Sequence, residues 1–232
     1  MSPQREHWER LWQRRSASDF EFSAAEPPAQ LLRLLAEAPT ATGPALDVGC
    51  GSGVVLPALA ERFDPAVGID ISLRAVLEAR KYSRGAPGSI LVLVAEALAL
   101  PFGDGQFAFV FDRGCMHNIP RPRWSAYLRE LERLLKPQGL LQILFVGSTL
   151  DGRGRLSIRR IAAGVGRRLG RGKLRRSALV RDRGGGAGLS LSRMRALLPA
   201  SLEPLRIEHF PYRTSRGRNR LFTHCIAMKV AR

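Results

Sequence analysis

The nine residues ALDVGCGSG, numbers 45 to 53, constrain the fold of this chain more than any other stretch. An apolar run of strand character ends in three glycines within five positions, and a helix-forming segment follows. A strand that enters a helix through such a turn points backbone N–H groups at a ligand, and glycine lets the ligand approach the backbone. The stretch therefore predicts a binding turn between a buried strand and a helix.

Segments of strand and helix character alternate on both sides of this turn, which is typical of a parallel sheet. Strands are predicted at 45–49, 66–70, 89–95, 107–112 and 140–147. Helices are predicted around Trp8–Trp12 and at 29–39, 53–62, 73–82, 123–135 and 190–199. Two last strands, 202–212 and 220–230, are joined by a polar segment and predict an antiparallel pair at the sheet edge. The expected fold is a doubly wound α/β domain with a mainly parallel, Rossmann-like sheet.

The chain divides into four segments of one domain. Residues 1–40 are predicted to be helices that cover the site, and 41–150 to be the ligand-binding core. Residues 151–188 contain twelve Lys or Arg against two Asp, which is a net +10 of the chain's +17. Residues 189–232 are predicted to supply the last helix and the strand pair. Most of the positive charge therefore belongs to one glycine-rich insert, which predicts attraction to anionic partners.

The cysteines and the hydropathy pattern indicate a reduced, aqueous setting. Cys50, Cys115 and Cys225 are widely spaced, so neither a disulfide framework nor a metal site is predicted. The first sixteen residues mix acids, bases and tryptophans where a signal peptide would have an apolar stretch, and no apolar run reaches membrane-spanning length. We therefore expect a cytoplasmic protein.

The glycine spacing separates two classes of ligand. Gly49, Gly51 and Gly53 form GxGxG, whereas the nicotinamide fingerprint is GxGxxG. With Asp47 before them, the segment DVGCGSG resembles the first motif of the class I S-adenosylmethionine-dependent methyltransferases. The resemblance extends over about residues 40–147 and implies S-adenosylmethionine as the cofactor.

Further landmarks of that family follow in the expected order. Asp70 in VGIDIS matches the carboxylate that binds the ribose hydroxyls, and Glu96 in AEALALPF matches the acid near the adenine amino group. Ala108 and Gln138 depart from the family's aspartate and glycine at their positions. The cofactor-binding residues that the resemblance implies are Asp47, Gly49, Cys50, Gly51, Gly53, Asp70, Ile71, Glu96, Ala97 and Asp112.

The segment FDRGCMH, residues 111–117, more narrowly resembles the thiopurine and thiol methyltransferase-like branch, which acts on small molecules. Asp112 and His117 are the candidate catalytic residues. His117 is predicted near a ligand-facing strand end with an ordinary pKa, which suits a general base, or else it bonds to loop backbone. Asp112 contacts the cofactor or the acceptor, or else caps the following loop. Arg113 either binds an acidic substrate group or is solvated.

The function that the resemblance implies is methyl transfer from S-adenosylmethionine to an O, N or S atom of a small-molecule acceptor. The alternatives are an RNA or other nucleic-acid methyltransferase and a non-catalytic cofactor-binding partner protein. The aromatic residues Trp8, Trp12, Phe20 and Phe22 either cover the acceptor or, as we favour, anchor the first helix to the core. The insert 151–188 is a solvated loop, a surface for anionic membranes, or a phosphate-binding arm for nucleic acid.

Overall fold

A seven-stranded sheet with helices on both faces forms the body of the protein. The computed structural model describes residues 2–14, 19–20, 26–37, 42–146, 191–213 and 219–230. The strands are β1 (Ala45–Val48), β2 (Ala66–Asp70), β3 (Ile90–Val94), β4 (Phe107–Arg113), β5 (Leu135–Val146), β6 (Leu202–Arg213) and β7 (Asn219–Lys229). The helices are α1 (Pro3–Arg14), α2 (Ala29–Glu37), α3 (Leu56–Ala60), α4 (Leu73–Tyr82), α5 (Trp124–Leu134) and α6 (Leu191–Leu197).

The strand order is β3-β2-β1-β4-β5-β7-β6, and the first five strands in this order are parallel. β7 is antiparallel to both β5 and β6. The chain winds outward from β1 in one direction through β2 and β3, and then in the other through β4 and β5. This confirms the predicted Rossmann-like fold with an antiparallel C-terminal pair. A crevice is expected where the direction reverses, at the carboxyl ends of β1 and β4.

Two apolar layers fix the sheet in place. On one face, α5 buries an amphipathic stripe that includes Tyr127, Leu128 and Leu131 against β4 and β5. On the other face, Leu31 and Leu35 of α2 belong to a second buried cluster with aromatic residues of β4. β1 lies between β2 and β4 and is buried at all four of its positions. The turn that follows β1 is therefore attached to a strand in the interior of the sheet.

Two boundaries differ from the sequence prediction. The predicted helix 53–62 begins only at Leu56, because residues 51–52 and 54–55 form turns and Gly53 has φ of 79°. The strand predicted at 140–147 begins at Leu135, directly after α5, and includes the KPQG segment. Within it Gln138 has φ of 64°, a left-handed conformation in which glycine is common and other residues are not. Gln138 stands where the resemblance has glycine, and it therefore adopts a backbone conformation that glycine favours.

The basic insert 151–188 and Phe22 lie outside the described residues, so the predictions made for them stay predictions. Among the described helices, none combines the length and apolar character needed to cross a membrane.

Candidate active site

Three glycines in the turn after β1 adopt backbone conformations that L side chains rarely reach. Gly49, Gly51 and Gly53 have φ of 72°, 54° and 79°. A Cβ on Gly49 would lie 2.9 Å from Cβ of Cys115, and one on Gly51 would lie 3.3 Å from the ring of Trp12. At these three positions a side chain would be strained and would crowd its neighbours. Its backbone is left open to close approach by a ligand.

Asp70, the last residue of β2, braces this turn. Its Oδ2 accepts a hydrogen bond from the Gly51 N–H at 3.0 Å, and its Oδ1 accepts one from the Ser72 N–H at 2.9 Å. The side chain is 9% exposed, and burial raises its pKa, opposed by these backbone donors. The Ser72 Oγ in turn accepts from Ala75 N–H and caps α4. Asp70 therefore joins the glycine turn to the start of α4, and each of its oxygens has a remaining lone pair.

A cavity of about 340 Å³ opens at the carboxyl ends of β1, β2 and β4. We call it the cofactor cavity. Eight of the residues predicted for the site line it: Gly49, Cys50, Gly51, Asp70, Ile71, Glu96, Ala97 and His117. They come from three strand ends and one loop, so the topology brings together residues that lie up to 68 positions apart in the sequence.

Asp112 does not line this cavity, which corrects the prediction that it contacts cofactor or acceptor. Its side chain is fully buried. Its carboxylate accepts hydrogen bonds from the N–H groups of Cys115 at 2.6 Å and Met116 at 2.9 Å, and from the Tyr127 hydroxyl at 2.8 Å. Burial raises its pKa to about 6, opposed by these donors. Asp112 therefore fixes the loop that carries His117, which is the alternative role considered from the sequence.

Asp47 and Gly53 also lie behind the cavity wall. Asp47 is 3% exposed, and burial raises its pKa to about 7, opposed by the positive charge of Arg113. A Cβ on Gly53 would lie 2.8 Å from Cβ of Ala79, so this glycine allows close packing of the turn on α4. Both residues shape the turn from behind, whereas Arg113 itself lines the cavity.

His117 lines the cavity, but its acidity differs from the prediction. It lies in a short 3₁₀ turn, Met116–Asn118, and burial lowers its pKa to about 4. The imidazole is therefore neutral at pH 7, and it is a weaker base than an ordinary histidine. The imidazole lies close to Gly114, where an added Cβ would be 3.0 Å from His117 Cε1.

Aromatic residues from the N-terminal segment form another wall of the cavity. Trp8, Trp12 and Phe20 line it together with Gln4 and Leu11. The Trp12 and Phe20 ring centroids are 4.6 Å apart, and those of Trp8 and Phe20 are 6.5 Å apart. Helix α1 contains no buried residue. The favoured sequence interpretation, that these residues anchor α1 in the core, is therefore wrong for the three described residues, which face the cavity.

Polar contacts hold α1 over the cavity. Glu9 Oε2 accepts a hydrogen bond from the Ser72 hydroxyl at 2.7 Å, and the Gln4 amide donates to the Asn118 carbonyl at 3.4 Å. Sequence reasoning missed Glu9 and Gln4, because their partners are 63 and 114 positions away. Helical spacing of Gln4, Trp8, Leu11 and Trp12 was the available signal that these side chains share one face.

The two thiols in the cavity wall are poor nucleophiles. Burial raises the pKa of both Cys50 and Cys115 well above the ordinary thiol value. Both are free cysteines and are protonated at neutral pH, so they act as small packing residues, as the sequence indicated. Within the described ranges, no cluster of three or more His, Cys, Asp or Glu side chains is arranged to hold a metal ion.

Comparison with known proteins agrees with this geometry. Residues 45–139 match the methyltransferase domain family. The 27-O-demethylrifamycin SV methyltransferase of Amycolatopsis mediterranei is 34% identical over 101 residues, which are 42% of this chain and 36% of that protein. The demethylmenaquinone methyltransferase of Staphylococcus aureus is 33% identical over 103 residues, 43% of this chain and 42% of that one. The matched segments thus span about two fifths of these relatives.

Solved structures show the same fold at low sequence identity. A SAM-dependent methyltransferase structure from Methanosarcina mazei superposes with a TM-score of 0.64 and 22% identity, covering 89% of this chain and all of that one. The fold and the glycine turn thus define a Rossmann-like protein with its ligand cavity at the switch point. Over residues 45–139 the chain is similar to class I S-adenosylmethionine-dependent methyltransferases, whose cofactor is S-adenosylmethionine.

Proposed function

We propose that this protein transfers a methyl group from S-adenosylmethionine to a small organic acceptor that has an apolar part. The observation that carries the proposal is the cofactor cavity, in which an open glycine backbone, two carboxylates and an aromatic wall meet. Two relatives support the acceptor class, because the names of their substrates, 27-O-demethylrifamycin SV and demethylmenaquinone, are those of small organic molecules.

The residues present fit the cofactor. Carboxylates accept hydrogen bonds from hydroxyl and amino groups, so Asp70 is the proposed ligand of the ribose hydroxyls and Glu96 the proposed partner of the adenine amino group. A Cβ at Gly49 or Gly51 would meet a neighbouring side chain, so both positions need glycine and leave the backbone exposed to the cofactor. When bound, the cofactor supplies a methyl group already activated by its sulfonium sulfur.

The remaining walls of the cavity are suited to align an acceptor and exclude water. Trp8, Phe20 and Ile119 offer apolar surface, and Arg113 offers a positive charge for an acidic group of the acceptor. Alignment and exclusion of water are the protein's main contributions to an in-line transfer from an activated donor. His117, neutral at pH 7, accepts or donates one hydrogen bond to the acceptor in this proposal, and it removes a proton only from an acceptor that is itself acidic.

Incubation with methyl-tritiated S-adenosylmethionine and three separate pools, namely small metabolites, RNA and proteins, tests the proposal. We expect label in the metabolite pool, and we expect Asp70→Ala to abolish the labelling. Glu61→Gln, which changes an exposed carboxylate outside the cavity, is the matched control. Label confined to RNA would establish the nucleic-acid alternative, and cofactor binding without transfer to any pool would establish the non-catalytic one.

A further inference from the structure

A second cavity lies on the α2 face of the sheet, away from the glycine turn. Its volume is about 720 Å³, within the usual range for small-molecule sites. α2 forms one wall, the segment 136–140 forms another, and β6 and β7 form the floor. We call it the α2 cavity. It opens near the amino-terminal ends of β4 and β5, whereas the cofactor cavity is at the carboxyl ends of the parallel strands.

The body of the α2 cavity is apolar. Leu34 of α2, Leu140 of β5, and Ile226 and Met228 of β7 line it, and Leu205 adds apolar surface from β6. Ile226 is 5% exposed, so the floor is part of the packed sheet and is already formed without a ligand. Burial of an aliphatic or aromatic group on this surface would contribute about 25 cal/mol per Å² of apolar area removed from water.

One end of the floor carries a buried polar chain. His224 lines the cavity and is 2% exposed; its Nδ1 is 3.2 Å from Oε1 of Glu208, and its Nε2 is 2.9 Å from the Gln142 amide nitrogen. The Gln142 amide also donates to the Gln30 carbonyl at 3.2 Å, which attaches the chain to α2. An amide N–H donor at Nε2 leaves the imidazole proton on Nδ1, where it is donated to Glu208. Glu208 is therefore already engaged within the protein.

Three cations surround the mouth. Arg33, Lys136 and Arg206 line the cavity, and within the described part of the chain none of them has a carboxylate within 4.0 Å. The acidic lining residues are Glu37 and Glu208. These Arg and Lys side chains therefore outnumber the carboxylates of the lining by three to two. The hydrogen bond with His224 and the charges of Arg206 and Arg33 lower the pKa of Glu208, so both guanidinium groups act on this part of the cavity. Guanidinium groups bind carboxylates in a bidentate manner.

We propose that the α2 cavity is a binding site for a free monocarboxylic acid with an apolar body, held by Arg33 and Arg206 at its carboxylate and by the β7 floor along its chain. A monoanion balances the lining charge, whereas a dianion would meet the carboxylates of Glu37 and Glu208. Because the site shares no lining residue with the cofactor cavity, occupation of one leaves the other accessible.

Calorimetry of the full-length protein with octanoate, and with octan-1-ol as the neutral homologue, tests this site. We expect one octanoate per chain, and at least tenfold weaker binding of octan-1-ol. Arg33→Gln and Arg206→Gln should each weaken octanoate binding at least fivefold. Arg129→Gln, an exposed arginine on α5, should leave it unchanged. Arg33 is exposed on α2, so its variant carries the test if Arg206→Gln fails to fold.

Trp8→Ala, which alters only the cofactor cavity, separates the two sites. Unchanged octanoate affinity in Trp8→Ala supports the proposal. Weaker binding in Trp8→Ala together with normal binding in the two arginine variants would place octanoate in the cofactor cavity and overturn it. Equal affinity for octanoate and octan-1-ol would also overturn it. So would the absence of octanoate binding at about 10 mM, since a dissociation constant above the millimolar range corresponds to a binding free energy weaker than about −4 kcal/mol.

Discussion

At the scale of single residues, the site depends on a carboxylate that both holds the backbone of the glycine turn and faces the cofactor cavity. Asp70 accepts from the backbone of Gly51 and Ser72 and also lines the cofactor cavity. Such a carboxylate is fixed before the ligand arrives, so binding costs little side-chain entropy. Fixed geometry is what an in-line transfer requires, because a small misplacement of the donor lowers the rate strongly.

Asp70→Asn tests this double role. Asparagine keeps one oxygen as an acceptor for a backbone N–H but removes the charge and the second oxygen. We expect the affinity for S-adenosylmethionine, measured by calorimetry, to fall about 10- to 100-fold, or about 1.5 to 3 kcal/mol, as for a lost hydrogen bond to a charged group. Glu61→Gln is the control. An unchanged affinity in Asp70→Asn would contradict the assignment of the ribose hydroxyls to this residue.

Asp47→Asn should make the protein more stable at neutral pH. The pKa of Asp47 is about 7 in the folded protein and about 3.9 in an unfolded chain, so the unfolded state loses this proton first as the pH rises. Stability therefore falls between about pH 4 and pH 7 and stays lower above that window. We expect the variant to gain about 2 kcal/mol or more in the free energy of unfolding at pH 8 and nothing at pH 3.5.

Urea unfolding followed by circular dichroism measures this difference in the free energy of unfolding at pH 8 and pH 3.5. Glu61→Gln is the control variant. Destabilisation of Asp47→Asn at pH 8 would mean that the ionised carboxylate is favoured by Arg113 more strongly than burial opposes it. A gain at pH 8 would instead show that the wild-type protein retains a destabilising carboxylate beneath the glycine turn, as functional sites often do.

Sequence reasoning placed residues at the cavity where a motif fixes both the residue type and its place at a strand end. Gly49, Gly51, Asp70 and Glu96 were placed in the cavity for that reason. It failed for Asp112, whose position after β4 is equally favourable, because Tyr127, fifteen residues later, donates to it from α5. Local sequence shows the carboxylate but not its distant partner. The same limit applies to the pKa of His117, which follows from burial.

At the scale of elements, α1 is attached to the site more than to the core. It has no buried residue, and its contacts include the Glu9–Ser72 and Gln4–Asn118 hydrogen bonds and the side chains that line the cofactor cavity. A helix so placed adds little to the stability of the fold. The helical spacing of Trp8 and Trp12 is therefore better explained by the cavity wall that these two residues form.

Trp12→Ala should separate binding from stability. The Trp12 ring lies against Gly51, so its loss removes part of the wall beside the glycine turn. We expect about fivefold weaker binding of S-adenosylmethionine, corresponding to about 1 kcal/mol for a lost aromatic contact. The melting temperature should change by less than about 3 °C, because no core contact is lost. Gln13→Ala, exposed on the next position of α1, is the control; a large drop in melting temperature for Trp12→Ala alone would show that α1 is a core element.

The order of the last two strands illustrates what element-level prediction leaves open. The sequence predicted an antiparallel pair at the edge but not which strand would be outermost. β6 contains Pro204 and Pro211, which lack the N–H that a central strand donates, whereas β7 is buried from Phe222 to Ala227. Proline therefore explains why β7 enters the sheet beside β5 and β6 takes the edge.

At the scale of the whole molecule, the sheet separates two sites. The cofactor cavity lies at the carboxyl ends of the parallel strands, and the α2 cavity lies on the α2 face near their amino ends. The first was predictable, because a family motif marks it. The second was not, since its lining comes from α2, the connection between α2 and β1, and four strands, and no local pattern connects Arg33 with Arg206.

The insert 151–188 is expected to take no part in cofactor binding. All described residues that line the cofactor cavity lie between positions 4 and 119, so the cavity wall described here is complete before the insert begins. A variant that joins Leu150 to Leu189 through a short Gly/Ser linker should therefore keep its affinity for S-adenosylmethionine within about threefold. It should also lose net +10 of charge, and with it any binding to anionic vesicles or polynucleotides that weakens as salt rises. Loss of cofactor binding in a shortened protein that remains folded by circular dichroism would instead assign residues of the insert to the cofactor cavity.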